Sequence, residues 1–517
     1  MPDRLEGIED VGLDEAFLRL VIDEHRRGAL PRLDRLWTYF RDPGEPVGAS
    51  GGSGGPRRWR TGQAQGLPER FRADPLEGDE AKEIVIENDI AWRVQTMVDF
   101  MFGKPVQILS TASDAGVRRA IEVVLDAVWE ASGGIGLLQD TALLGHVFGY
   151  VDLLVRIDEG ALIQRGSVIA ALESGARDAL AGLVRIEPVE PRRGIPVVSA
   201  DDYRRLDAYV IHLERGLNEV EEASGGARMA RLFGRRGGAG GVTGWKPLPR
   251  GRGEKKDNAT RRRGTVTEVI GSGVRVVYHD NELVRRESSV LLPGVVPVVH
   301  IQNLSQPFRY EGLGEVEPLI GLQDELNTRL SDRASRVTMS SFKMYLAKRL
   351  DGFETAPVGP GRVWVTDDPD ASIEAFGGDT SSPSESEHIE QIREAMDKVS
   401  GVPPLAGGVV RAKIGNLSSA NALRITLMSL LAKTARKRVT YGAGIERVCR
   451  MVLTALDAAG VLRTHPADRG VRLVWPDPQP IDPTSALVAA RQKVELGVDE
   501  SRVLAELGYG PSDAGVS

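Results

Sequence analysis

The best candidate for metal chemistry in this 517-residue chain is the carboxylate group Asp367, Asp368 and Asp370, which surrounds Pro369. Nucleases that use two metal ions gather carboxylates of this kind to hold their divalent cations. These three side chains fall within four positions of a turn-forming segment, where aspartate and proline are favoured for backbone reasons alone. A solvated turn is therefore the favoured interpretation, and a metal-dependent nuclease remains the alternative from another class of protein.

Other patterns that perform chemistry are incomplete. The pair Gly103–Lys104 lacks the upstream glycine and the hydroxyl residue of a phosphate-binding loop, and it resembles a helix end. A Gly-x-Ser-x-Gly match at 48–52 lies in a Gly/Ser-rich loop, not on a strand–helix turn. The single cysteine, Cys449, excludes an internal disulfide framework and a cysteine zinc cluster. His300 ends an apolar strand and is interpreted as a core or capping residue. The seven histidines are scattered: His25, His146, His212, His279, His300, His388 and His465. The sequence predicts a protein that is not an enzyme and needs no metal or cofactor.

A basic loop and helix near the C-terminal end carry the remaining candidate chemistry. Arg411 and Lys413 lie in a loop that contains three glycines, and such a loop is able to follow a moving phosphate backbone. For the basic residues of the following helix, a solvated helix face is the favoured interpretation. Those residues are Arg424, Lys433, Arg436, Lys437 and Arg438.

The charge of the chain is unevenly distributed. The net charge is −7, yet residues 228–263 contribute about +10, which leaves about −17 on the remainder. Proteins that grip duplex DNA are basic on the contact face, so an acidic body indicates weak, sliding contact with nucleic acid or none. The glycine-rich run 225–263 is predicted to be a solvated insertion, with a nucleic-acid or partner-binding arm as the alternative.

The chain is too long for one core, so two or more lobes are expected. The sequence shows no apolar run of membrane length and an acidic start unlike a signal peptide, which fits a cytoplasmic origin.

The hydrophobic pattern predicts the following elements. Helices are expected at 12–40, 80–102, 116–132 and 136–144, a loop at 42–66, and strands within 145–220. A hairpin is expected to turn at 271–273, with the strand ending at His300 continuing its sheet. Two long helices are predicted, Glu315–Ser341 with Pro318 in its first turn, and one capped by Ser384 and Glu387. Strand-like insert segments (KMYLAKRL, GRVWVTD) lie between them, and a helix to about 456, a strand RLVWPDP and two short helices follow.

Three segments in this order resemble the portal proteins of tailed bacteriophages. The first is ENDIAWRVQTMVDFMFGKPVQI (87–108), and the second is GLGEVEPLIGLQDELNTRLSD (312–332). The third runs from SGVPPL through NLSSANALRI to LLAKTARKR (400–438), and WPDPQPIDP to LGVDESRVLAELG fits the C-terminal pattern. The basic insertion 225–263 has no place in the family pattern, and the short C-terminus leaves the length of a crown in doubt.

The resemblance implies an α+β portal-type fold. Its wing would take residues 1–314, including loops 42–66 and 225–263. Stem helices would take 315–341 and 381–401, and a small β-containing clip would take 342–380. A tunnel loop would follow at 402–419, then a basic helix at 420–439, and 440–517 would complete the wing and form the crown.

The resemblance also implies a function. It describes a ring, usually of twelve copies, at one capsid vertex of a virion assembled in the host cytoplasm, with double-stranded DNA passing through the axis during packaging and ejection. Implied partners are further copies of the chain, the large terminase, major capsid or scaffolding protein, and an adaptor or head-completion protein, without a membrane. A non-portal scaffold or capsid component remains a third possibility.

The candidate residues follow from this assignment. Tunnel-loop candidates for DNA contact are Arg411, Lys413 and Asn416. Clip candidates for docking the terminase, or for meeting DNA, are Lys343, Lys348 and Arg349. Apolar stem side chains are expected to be buried against neighbouring subunits in the ring: Leu319, Leu322, Leu326, Leu330, Ile389 and Ile392.

Overall fold

A computed structural model describes most of the chain. The described residues are 5–42, 45–46, 59–60, 62–71, 83–166, 180–202, 204–216, 263–341, 344–348, 370, 372–376, 383–407, 424–478, 483–500, 503–504 and 507. Within these ranges, no helix is both long and apolar enough to cross a membrane.

Helices and strands are numbered here in chain order. The α-helices are α1 Glu15–Glu24, α2 Leu30–Arg41, α3 Asp89–Phe102, α4 Ala115–Ala131, α5 Gly134–Phe148, α6 Glu159–Arg165, α7 Ile320–Ser341, α8 Pro383–Ser400, α9 Met428–Ala458 and α10 Pro483–Glu495. The strands are β1 Glu45–Pro46, β2 Trp59–Arg60, β3 Gln107–Ser110, β4 Tyr150–Ile157, β5 Val184–Val189, β6 Gly194–Val198, β7 Leu206–Gly216, β8 Arg263–Ile270, β9 Val274–His279, β10 Glu282–Ser288, β11 Val298–Gln302, β12 Met344–Lys348, β13 Ser372–Phe376 and β14 Val471–Val474.

The chain divides into two compact units. The first contains Met1–Asp34, Asp99–Leu313 and Arg436–Ser517, and the second contains Arg35–Val98 and Gly314–Ala435. Each unit thus collects segments that are far apart in sequence. Mixed helix and sheet, the coarse class expected from the sequence, is what the described residues contain.

The first unit is built around antiparallel sheets. Its five-stranded sheet has the order β10-β9-β8-β7-β6, and a three-stranded sheet has the order β11-β4-β5. The N-terminal segment packs on the larger sheet, where Leu5, Ile8 and Leu18 join a buried cluster with Val210, Val269 and other strand residues. Helix α5 packs against β4, and helix α4 against β5.

A buried ion-pair group stabilises this unit. The Arg156 guanidinium donates to both carboxylate oxygens of Glu268 at 2.8 and 3.0 Å, and Arg275 Nε donates to the same carboxylate at 2.6 Å. Burial raises the pKa of the Glu268 carboxyl, but the hydrogen bonds from the two arginines outweigh burial and leave this pKa below its usual value.

The second unit is mainly helical. Helices α7 and α8 pack together, and β12 pairs antiparallel with β13 in the segment that joins them. Residues 62–66 form a short 3-10 helix whose Gln63 is fully buried, and Leu67 and Phe71 form a small cluster with Ala64. Part of the predicted loop 42–66 is therefore ordered and buried.

Several elements differ from the sequence-based prediction. The helix predicted from residue 80 begins at Asp89, because residues 83–88 are extended and bonded to helix α7. The hairpin at 271–273 is confirmed as β8–β9, but the strand ending near His300 pairs with β4 in the other sheet. Strand β10 was not predicted, and strand β6 lies in the range 145–220 where strands were expected. Helix α8 begins at Pro383, one residue before the expected cap at Ser384. The KMYLAKRL strand is confirmed as β12, whereas GRVWVTD lies outside the described residues.

Candidate functional site: the helix pair and the base of the basic loop

The apolar stripe of helices α7 and α8 is buried within a single chain. Leu319, Leu326 and Ile389 are at most 2% exposed, and Ile392 is 5% exposed, whereas Leu322 and Leu330 are half-buried. Burying a leucine or isoleucine side chain is worth about 1.5–3 kcal/mol. The expectation that neighbouring subunits bury this stripe is therefore wrong for the four buried residues, because their own chain covers them.

A second stripe on helix α7 is polar and holds the segment 83–88 together with the first turn of helix α3. Gln323, Asn327 and Ser331, spaced four residues apart, lie on one helix face. Their side-chain oxygens accept the backbone amides of Ile90 at 3.3 Å, Glu87 at 3.1 Å and Val85 at 3.0 Å, respectively. The three side chains thus bond two backbone amides of the segment 83–88 and one amide of the first turn of helix α3, and we refer to them as the amide ladder.

Further amides tie the amide ladder to the rest of the unit. Asn327 Nδ2 donates to Gln63 Oε1 at 2.9 Å, and Gln63 Nε2 donates to Asn88 Oδ1 at 2.9 Å and to a carbonyl of helix α2. Gln63, Gln323, Asn327 and Ser331 are fully buried. Buried amide groups need every partner they have. The polar residues Asn88, Gln323 and Asn327 of the first two resemblance segments therefore make hydrogen bonds within the fold.

Arg93 of helix α3 is the central charge of the second unit. Its side chain is fully buried, and its Nη2 lies 3.0 Å from Asp89 Oδ2 and 2.7 Å from Asp397 Oδ1. Its Nη1 donates to Ser400 Oγ at 3.1 Å and to the Val402 carbonyl at 2.9 Å. Arginine presents several donors in a rigid fork, which suits four acceptors in different directions.

Lys433 of helix α9 reaches the same place from the other end of the loop. Its Nζ donates to Glu315 Oε2 at 2.6 Å and to the Ser400 carbonyl at 2.7 Å. The Glu315 side chain is only 3% exposed, so the pair is well shielded from water. Helix α9, which follows the predicted tunnel loop, is therefore bonded to Ser400, the last residue of helix α8, which precedes that loop.

The other basic residues of this helix have different fates. Lys437 is 1% exposed. Arg438 donates to the Pro476 carbonyl at 2.9 Å and lies over the Trp475 ring, while burial lowers the pKa of its guanidinium. Arg424 and Arg436 are exposed. A solvated face, the favoured interpretation from sequence, is therefore wrong for Lys433, Lys437 and Arg438.

Most of the residues predicted to contact DNA or the terminase lie outside the described residues. This applies to Arg411, Lys413, Asn416, Lys343 and Arg349. Lys348 is the last residue of β12, where only its backbone pairing is described. Among the acidic candidates, Asp370 is described and exposed, whereas Asp367 and Asp368 are outside the described ranges. In the described part of the chain, no group of three or more His, Cys, Asp or Glu residues is arranged to hold a metal ion.

The first unit contains the histidine that the sequence singled out. His300 Nδ1 lies 2.7 Å from Asp152 Oδ1, and its Nε2 lies 2.7 Å from the Tyr310 carbonyl. Asp152 also accepts the hydroxyl groups of Tyr209 and Tyr310, both at 2.8 Å. His300, interpreted from sequence as a core or capping residue, is half-buried and bonded through both ring nitrogens.

Sequence reasoning missed Arg93, Gln63 and the role of Glu315. Arg93 did leave a signal, since it follows Asp89 by four residues within the apolar run Ile90–Val94. A charged residue in such a run is rarely buried without partners. The sequence gave no comparable signal for Gln63, whose partners come from distant segments.

Comparisons with known proteins follow this geometry. The family model "Phage portal protein, SPP1 Gp6-like" matches residues 274–502. None of the curated proteins compared with the chain matches it. A solved structure described as "Virion of native gene transfer agent (GTA) particle" aligns with a TM-score of 0.42 at 14% identity, covering 92% of this chain and 99% of that chain. Another, "Neck of native GTA particle computed with C12 symmetry", aligns with a TM-score of 0.39 at 15% identity and the same coverage. The family match, which includes helices α7, α8 and α9, confirms that this chain resembles the phage portal proteins.

Proposed function

We propose that this chain is the subunit of a portal ring at one capsid vertex of a tailed phage or phage-like particle. In this role the ring, expected to contain twelve copies, forms the channel for double-stranded DNA during packaging and ejection. It also serves as the docking platform for the large terminase and for head-completion or tail proteins, and it contacts the capsid or scaffolding protein. The role is structural, and the chain is not an enzyme.

The match of the portal family model to residues 274–502 is the observation that carries this proposal. The order of elements in the matched region supports it. Helix α7, the paired strands β12 and β13, helix α8 and helix α9 follow one another in the order that the resemblance implies for stem, clip, stem and the helix behind the tunnel loop. A structural role is also supported by the buried polar side chains described above, because they are hydrogen-bonded to one another and to the backbone.

Electron microscopy of the purified full-length chain, with particle mass from light scattering, tests the ring. We expect closed rings of about a dozen subunits with a central hole of about 20 Å or more, enough for duplex DNA. A compact monomer or dimer that cleaves DNA in a metal-dependent way, with the cleavage lost on Asp367→Asn and Asp368→Asn, would overturn the proposal in favour of a nuclease.

The DNA-facing role of the loop has its own test. Alanine at both Arg411 and Lys413 should reduce the DNase-protected DNA in assembled particles while rings still form, because the repeated weak phosphate contacts are lost. The matched control is alanine at Arg204 and Arg205, two basic residues in the first unit. Unchanged packaging and retention in the loop variant would remove the loop arginine and lysine from the DNA path.

A further inference from the structure

The base of the predicted tunnel loop is fastened by two cations outside the loop, the buried Arg93 and the half-buried Lys433. We propose that Arg93 and Lys433 are positioning residues that hold the two ends of the segment 401–432 against Ser400, so that the loop leaves and re-enters the fold at one fixed place. We call Arg93, Ser400 and Lys433 the base clamp. This inference rests on the proposed function for its consequence, which is that every subunit presents its loop to DNA at the same height.

Ser400 is the residue where the two cations meet. Its Oγ accepts the Arg93 Nη1 group and the Val402 amide, both at 3.1 Å, and its carbonyl accepts Lys433 Nζ at 2.7 Å. Ser400 is 1% exposed. Hydrogen bonds that involve a charged group are roughly twice as strong as neutral ones, and they impose a defined geometry. The backbone at 400–402 is thus held from both sides.

The backbone at the start of the segment 401–432 packs closely against two helices. Gly401 has a φ of +71°, and a Cβ added there would lie 2.9 Å from Ser429 Oγ. A Cβ at Gly407 would lie 2.3 Å from Trp92 Nε1, on the helix that carries Arg93. The start of the segment is therefore pressed against helix α3 and against the beginning of helix α9. Such approaches leave little room for the ends to shift without breaking the base clamp.

The charges of the base clamp are balanced locally. Arg93 is paired with Asp89 and Asp397, and Lys433 is paired with Glu315. Removing one member of a buried ion pair strands its partner, so single substitutions are expected to loosen the segment strongly. The same pairing means that these two cations fix the loop and do not contribute positive charge to the channel.

The test measures loop motion in the full-length protein. A nitroxide or fluorophore at Lys413→Cys reports mobility, and buried Cys449 does not compete for the label. The variants are Arg93→Gln, Lys433→Met, which has no donor, and Lys433→Gln, which keeps a donor for the Ser400 carbonyl. The matched control is Arg393→Gln, since Arg393 lies on helix α8, which ends at Ser400, and pairs with Glu87 at 2.7 Å without touching Ser400.

We expect faster label motion in Arg93→Gln and Lys433→Met, a smaller change in Lys433→Gln, and parent-like motion in Arg393→Gln. Amide exchange at Gly401 and Val402 should rise by about tenfold to a hundredfold in the first two variants, as expected when opening no longer breaks a charged hydrogen bond. Equal label motion in all variants, or an equal rise in the control, overturns the base clamp.

Two further readouts separate this inference from the proposed function. If a clamp variant fails to fold, amide exchange on the parent protein decides, because exchange at Val402 as fast as in an open chain contradicts the base clamp. Ring formation and DNase-protected DNA are measured on the same samples. A clamp variant with a loosened loop but full DNA retention overturns the positioning role. Parent protein that forms no rings and retains no DNA refutes the portal assignment, and in that case the label measurements still decide whether the base clamp exists.

Discussion

Replacing Asn327 by leucine should release the segment 83–88, which precedes helix α3, from helix α7. Asn327 is fully buried and makes three hydrogen bonds, to Gln63 at 2.9 Å, to Gln323 at 3.0 Å and to the Glu87 amide at 3.1 Å. Leucine has a similar size but no polar atom, so the Gln63 oxygen and the Glu87 amide lose this partner. Leaving a buried polar group unpaired costs about 1–3 kcal/mol, and two such groups are left here. The added apolar burial offsets part of this cost, so we expect the free energy of opening this region to fall by about 2–4 kcal/mol.

Hydrogen exchange followed by mass spectrometry on peptides that cover 83–90 measures this effect locally. A loss of 2–4 kcal/mol corresponds to exchange faster by about 30-fold to 1000-fold at the Glu87 amide if opening is local. Arg333→Ala, an exposed change on the same helix, is the control and should leave exchange in this segment nearly unchanged. The double variant Gln63→Leu with Asn327→Leu should lose less than the sum of the single losses, because neither partner is then stranded. Parent-like exchange at Glu87 in Asn327→Leu would refute the amide ladder.

Three further predictions concern the first unit. In helix α5, Gly145→Ala should lower the free energy of unfolding in denaturant by about 1–3 kcal/mol, because the added Cβ would lie 1.9 Å from the Tyr441 hydroxyl. Gly136→Ala, whose Cβ would have nothing within 4 Å, should raise that free energy by up to about 1 kcal/mol, and equal effects of the two changes would contradict the packing. The pKa of the Glu268 carboxyl is lower in the folded protein than its value of 4.5 in the unfolded chain, so its ion pairs stabilise the fold above pH 4.5, and this stabilisation is lost as pH falls through the folded pKa. The difference in free energy of unfolding between the parent and Glu268→Gln should therefore narrow below about pH 4.5, and a difference independent of pH would contradict this. Burial raises the pKa of the Cys449 thiol to about 12, so a thiol reagent at pH 8 should modify it only in denaturant, and rapid modification of the folded chain would show that it is accessible.

The sequence predicted elements well where one local signal dominated. Helix α4 was expected at 116–132 and runs Ala115–Ala131, and the hairpin β8–β9 turns at the predicted glycines. Both depend on periodicity and turn chemistry, which are local properties. The two long helices were predicted for the same reason, although helix α7 begins at Ile320, after a 3-10 turn Glu317–Leu319 that contains Pro318.

The failures occur where distant residues decide the outcome. The apolar alternation of EIVIEN (83–88) was assigned to a helix, but side chains of helix α7, more than two hundred residues away, hold it extended. Strand β11 was expected beside the hairpin, and pairing with β4 wins because sheet membership depends on tertiary contacts and not on adjacency in sequence. The candidate site followed the same pattern: its order along the chain was predictable from the resemblance, whereas the partners of Arg93 and Lys433 were not.

The fate of the basic helix changes how the proposed channel would act on DNA. A sequence with five cations at 424–438 suggests a strongly positive wall, yet Lys433 is neutralised by Glu315, Lys437 is buried, and Arg438 is turned onto backbone carbonyls. The affinity of a protein for duplex DNA falls with salt in proportion to the number of phosphates it neutralises, with a slope of about −0.9 for each. If only the loop cations Arg411 and Lys413 contact phosphate, each subunit neutralises few phosphates and the salt dependence per subunit is shallow. Weak contacts repeated around a ring would guide DNA without arresting it, which is what a channel for packaging and ejection requires.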